Sequence, residues 1–202
     1  MGIEFKIREI ILEIEYLLLI ILCISGISDT MVNFLDKYYV CMLFVIFHEL
    51  SHILVGSLLS KKLSRVFIGI SGMTAFFKYD FNIRDRVYYI KETIIYLAGP
   101  LSNILIAYFF KDIKFVFEIN IFLGILNLLP VYPLDGYNIL KNLLIIIGIR
   151  NKSTINKTIK LISISILIAL SIVCIIIFFK YQNIFGIIFL VYILLLNIKN
   201  NG

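Results

Sequence analysis

Cysteine, proline and histidine are all scarce in this 202-residue chain, at three, three and two residues. Cys23, Cys41 and Cys174 stand far apart with no Cys-x-x-Cys pair, which excludes a disulfide framework and a thiolate metal site. Charge is scarce too. Only 16% of residues are charged and 61% are hydrophobic, which excludes an ordinary soluble domain. The net charge of +6 lies in short loops between apolar runs, without an aromatic-interleaved patch. That argues against nucleic acid as a partner and for charge that sets membrane topology. No small-residue cleavage site follows the first apolar run, so a removable signal peptide is not expected.

What the chain does have is long apolar runs. We read an all-α polytopic membrane protein with about six transmembrane helices, at Ile10–Ile27, Tyr38–Leu59, Thr93–Phe110, Phe115–Leu129, Leu161–Phe179 and Ile184–Ile198. Residues 1–202 are expected to form one membrane-embedded domain with no soluble regulatory domain. With both termini in the cytoplasm, Lys and Arg divide 15 inside to 4 outside, so that orientation is expected, as a multi-pass protein of a bacterial cell membrane.

Two stretches between the runs are irregular. Val66–Ile70 and Met73–Phe77 flank Ser71-Gly72 and read as a short membrane-associated β-hairpin between the second and third spans. Its exposed edge would suit strand addition by an extended peptide. After Leu129, Pro130 and Pro133 forbid a regular helix. Unwound backbone at membrane depth is tolerated where protein buries it or where it lines a watery cavity, so this turn is expected at a polar site. An interfacial helix should follow from Tyr137 to Ile149, with Ile139, Leu140, Leu143, Leu144 and Ile147 on one side.

The two histidines of the chain, His48 and His52, are four residues apart with Glu49 between them, inside the second apolar run. Random placement would produce this H-E-x-x-H pattern in roughly 3 of 10,000 chains of this composition, so coincidence is a weak explanation. On a helix the two imidazoles share a face and can reach one metal, with Glu49 offset toward its water. Hydrolytic zinc usually takes three protein ligands. Glu49 and Asp135 are the acidic residues expected inside the membrane, which makes Asp135 the third ligand by elimination. Capping the helix that starts near Gly136, or pairing with a buried lysine, would also account for Asp135. For Glu49, a salt bridge is the alternative to general base, but its span offers no cation.

His48-Glu49-Leu50-Ser51-His52, Ala98-Gly99-Pro100-Leu101-Ser102-Asn103 and Asn127-Leu128-Leu129-Pro130-Val131-Tyr132-Pro133-Leu134-Asp135-Gly136 resemble the three signature regions of the site-2 protease family of intramembrane zinc metalloproteases. The six-span outline is most similar to its sporulation branch, the stage IV FB type, which releases a membrane-tethered sigma-factor precursor. The resemblance implies that His48, His52 and Asp135 hold Zn2+ and that Glu49 activates water. It also implies that Asn127 positions substrate or stabilises the oxyanion. Gly99 and Pro100 would permit close helix packing beside the site, with Asn103 hydrogen-bonding there, and ordinary helix packing explains all three equally. The partners implied are a membrane-tethered protein substrate, the lipid bilayer and a membrane inhibitor or regulator. Two alternatives stand beside this reading. A prenyl-protein endopeptidase would need Glu92 or Glu118 as third ligand, and a metal or proton transporter or scaffold would use the same cluster without proteolysis.

Overall fold

A computed structural model describes residues 2–7, 10–15, 32–59, 62–69, 72–78, 85–181 and 191. The chain is mostly helical and divides into two compact units, Met1–Ile83 with Ala98–Gly124, and Arg84–Leu97 with Ile125–Gly202.

Among its described residues the first unit carries four strands, β1 (Gly2–Ile7), β2 (Ile10–Glu15), β3 (Lys62–Gly69) and β4 (Gly72–Lys78), in the order β1-β2-β3-β4. β1 and β2 are antiparallel, with Gly2 opposite Glu15, and β2 runs parallel to β3, with Leu12 opposite Val66. β3 and β4 are antiparallel, with Val66 opposite Ala75 and an irregularity between Leu63 and Arg65. A parallel pair needs a crossover, and the segment between β2 and β3 contains helix α1 (Val32–Leu58). The same helix packs against β3 and β4.

This corrects the all-α expectation at the N-terminus, because Ile10–Glu15 is a strand and not the start of a span. Glu13 and Glu15 alternate there with Leu12 and Ile14, a period of two that suits a strand and would put carboxylates inside a bilayer if helical. The remainder of that expected span, 16–27, and nearly all of the sixth, 184–198, lie outside the described residues.

Three helices among the described residues are long and apolar enough to cross a membrane, over Tyr39–Leu58, Arg86–Phe109 and Lys152–Ile176. Helix α2 (Arg86–Phe109) starts seven residues before the expected third span because Asp85 caps it, its Oδ1 accepting from the Tyr88 backbone N–H at 2.8 Å. Helix α3 (Lys114–Leu128) has 15 residues, about 22 Å, and falls short of a bilayer core of about 30 Å.

In the second unit, α3 ends at the proline turn. Its backbone groups are met locally, Leu129 N–H by Leu126 O at 3.0 Å, Val131 N–H by Leu129 O at 2.8 Å and Leu134 N–H by Val131 O at 2.9 Å. Ser163 Oγ donates to Pro130 O at 2.5 Å. Val131 is fully buried, against Leu167, with Leu129, Leu134 and Ile166 around it. At Val131 the turn thus meets the first of the two conditions for unwound backbone, burial in protein.

Helix α4 (Asp135–Ile146) follows at once. It ends at Ile147, and Gly148 beyond it takes φ +105°, the left-handed position in which glycine is unstrained. Helix α5 (Lys152–Tyr181) is capped by Asn151, whose Oδ1 accepts from the Ser153 and Thr154 N–H groups at 2.9 and 3.4 Å. α4 packs on α5 through Leu144, Ile155 and Ile159, with Tyr137, Leu140, Ile145 and Ile149 alongside. Leu143 and Ile147, expected on the same side as Leu144, are exposed instead.

Candidate metal centre

α1 sets His48 and His52 one turn apart and buries both. Their Nε2 atoms face each other at 3.2 Å, with the rings edge to face and the centroids 4.8 Å apart. Glu49, on the same turn, is half-buried.

α2 approaches the pair at two points a turn apart. At Gly99 its backbone comes so close that a Cβ there would strike His52 Nε2 and lie 2.6 Å from His48 Nε2. The missing side chain leaves the space in front of both nitrogens open. One turn later Asn103 Oδ1 lies 2.6 Å from His48 Nδ1. Asn103 is fully buried, and its Nδ2 donates to Asn120 Oδ1 of α3 at 2.9 Å. Asn120 is fully buried as well, and its Nδ2 donates to Val116 O at 2.9 Å. α2 and α3 come this close partly because Gly124 has no side chain, since a Cβ there would lie 3.1 Å from Pro100 O.

Of the residues expected at the site, the first unit therefore brings together His48 and His52, with Glu49 on the same turn and Gly99 and Asn103 beside the imidazoles. Asn127 and Asp135 belong to the second unit and are half-buried. Asn127 lies near the end of α3. Asp135 is the first residue of α4, where a carboxylate is favoured by the helix dipole, and Leu134 holds the cap position. Gly136 fixes that start. A Cβ there would collide with the backbone of Leu128 and Leu129, so the first turn of α4 is pressed onto the end of α3. His48 and His52 in the first unit and Asp135 in the second are of the residue types that a hydrolytic metal ion takes.

Two further acidic residues were weighed as third ligands. Glu92 is buried, so burial alone does not single out Asp135 and Glu49. Glu118 is exposed and lies 3.9 Å from Lys114 on the surface of α3, which rules it out as a buried ligand. Asn120 was not anticipated. Its signal was an amide in the middle of an apolar helix, which is costly unless it is hydrogen-bonded.

No curated protein matches the chain. A solved structure titled the site-2 protease from Methanocaldococcus jannaschii is similar in fold, with a TM-score of 0.59 and 21% identity, covering 98% of this chain and 94% of that one. A model of Peptidase family M50 matches residues 110–173, the segment that contains Asn127 and Asp135. A match to the M50 model in a chain similar in fold to a site-2 protease, with three membrane-length helices among the described residues, supports an integral membrane metallopeptidase.

Proposed function

We propose that this chain is an intramembrane zinc metalloprotease that hydrolyses a peptide bond of a membrane-tethered protein near the cytoplasmic side. The observation that carries the reading is the pair of buried imidazoles on an apolar, membrane-length helix, with Nε2 atoms 3.2 Å apart. Two Zn–N bonds of about 2.0–2.1 Å at a tetrahedral angle put their nitrogens about 3.3 Å apart, so the donors fit that ion. Asp135 is the third ligand in this reading. Its chemistry completes a common hydrolytic donor set, and the M50 match spans it.

A bound zinc would polarise the scissile carbonyl and lower the pKa of water toward neutrality. The protein's own groups do the rest. Glu49 takes the proton of the attacking water and delivers it to the leaving amine. Asn127 donates its amide to the substrate carbonyl or the oxyanion that develops from it. Gly99 keeps the approach to the imidazoles clear. β3 and β4 form a strand pair at the membrane surface onto which an extended substrate adds, because a helical substrate hides its peptide bonds.

The finer assignments belong to the same proposal. They are six spans with both termini in the cytoplasm of a bacterial cell, α4 lying at the interface, and a sigma-factor precursor released during sporulation as the first substrate to try. The test is Glu49→Gln, assayed on a membrane-tethered reporter with metal content measured alongside. Cleavage should fall by at least about a thousandfold while zinc is retained, the scale of losing a general base together with the water it orients. Full cleavage by the variant would sink the mechanism. Zinc flux without cleavage in the unaltered protein would make the chain a transporter.

A further inference from the structure

The three hydrogen bonds leading away from His48 have one consistent direction. The far end is a backbone carbonyl, Val116 O, and a carbonyl only accepts. The Asn120 atom 2.9 Å from it is therefore the amide nitrogen, a conclusion that does not depend on how the amide was oriented at the outset. Asn120 Oδ1 then faces Asn103, so the Asn103 atom 2.9 Å away is a donor. That turns Asn103 Oδ1 toward His48 Nδ1 at 2.6 Å. An amide oxygen carries no proton, so Nδ1 must carry it. A neutral imidazole has one N–H, and the lone pair is left on Nε2, the nitrogen that faces His52 across 3.2 Å.

We propose that Asn103 and Asn120 are positioning residues that hold His48 in the Nδ1–H tautomer before metal arrives, with Asn120 acting through Asn103 and without touching the ring. The polarity of the chain originates in the backbone of α3, and each amide has only one orientation that satisfies both neighbours. Both amides are fully buried, so bulk water does not compete for their bonds. The inference rests on the reading of His48 as a metal ligand. Partners of this kind are known to fix the tautomer and orientation of ligating histidines. What is new is that control reaches back to a second amide on a third helix. The plainer explanation, that two asparagines merely join helices inside a membrane, predicts no effect on the ring.

Because the chain contains two histidines, nitrogen-15 histidine labelling of the metal-free, full-length protein in detergent resolves two rings, assigned with His52→Gln. His48 is expected as the Nδ1–H tautomer. In Asn120→Leu, Asn103 is free to rotate its amide, and His48 should redistribute toward Nε2–H. Zinc affinity, read by chelator competition, should fall about ten- to a hundredfold. Asn120→Asp, protonated in this apolar setting, offers one donor and one acceptor in the same places and should restore the original spectrum. Asn103→Leu combined with Asn120→Leu should be no worse than Asn103→Leu alone, since both break one chain.

An unchanged ring spectrum in Asn120→Leu, or additive losses in the double variant, would overturn the proposal. If Asn120→Leu does not fold, Asn103→Asp against Asn103→Leu decides. The acid, protonated like that at position 120, accepts from Nδ1–H through its carbonyl oxygen and donates to Asn120 Oδ1, so it should keep the tautomer, the leucine should not, and identical spectra would overturn it. Failure of the underlying reading looks different, because an unaltered protein that takes up no zinc leaves the tautomer measurement intact.

Discussion

In the first unit the polar groups set among apolar residues are side chains, and they satisfy one another in a line from His48 through Asn103 and Asn120 to Val116 O. In the second unit the 129–134 turn does the same with backbone groups, met by neighbouring carbonyls and by Ser163. Both arrangements obey the rule that a buried polar group must be paired. They differ in what they can tolerate. A side-chain chain specifies chemistry, namely which atom is protonated, and can be disturbed without moving the fold. A backbone turn specifies shape, and it gives way only if the fold does.

The two glycines that close off these regions break the comparison most sharply. At Gly136 an added Cβ meets backbone of Leu128 and Leu129, which cannot step aside. Gly136→Ala should lower stability by about 3 kcal/mol or more, the scale of overpacking against an immovable wall, read as a fall in thermal midpoint in detergent. At Gly99 an added Cβ meets the ends of two imidazoles, and a ring can rotate. Gly99→Ala should therefore fold, with a near-normal midpoint, yet bind metal about a hundredfold more weakly, because a ring that rotates leaves Asn103 and its partner nitrogen. Equal stability losses in the two variants would erase the distinction drawn between the regions. The smallest effect is expected at Ser163→Ala. It removes one hydrogen bond from a turn whose other bonds are backbone, and should cost about 1 kcal/mol with no change in metal affinity.

The site was more legible in the sequence than the sheet was. His48, Glu49 and His52 could be placed on one helix from spacing alone, because a helix turns a separation of four into a shared face. Asp135 was reached by counting carboxylates, a weaker argument now that Glu92 proves buried. Gly99 and Asn103 were noticed, but nothing in a linear sequence distinguishes a glycine that packs helices from one that faces two imidazoles. Asn120 was passed over for a related reason, since its partners come from another helix and from its own backbone a turn earlier. Ile10–Glu15 was misread because an apolar run was weighed by composition, whereas the alternation of Glu13 and Glu15 with Leu12 and Ile14 carried the periodicity of a strand. Helix starts were set too late where a capping residue, Asp85 or Asn151, begins the helix in polar sequence before the apolar run.

The partner of His48 at Nδ1 is an amide. Histidine ligands in water-soluble proteins often lean on an ionised Asp or Glu, which adds a full negative charge behind the ring. Each such charge removed from water costs several kcal/mol, and His48 and Asn103 are both buried. Two neutral amides and a carbonyl orient the ring through their dipoles. The ring is thus held in one orientation by groups that add no net charge to the interior.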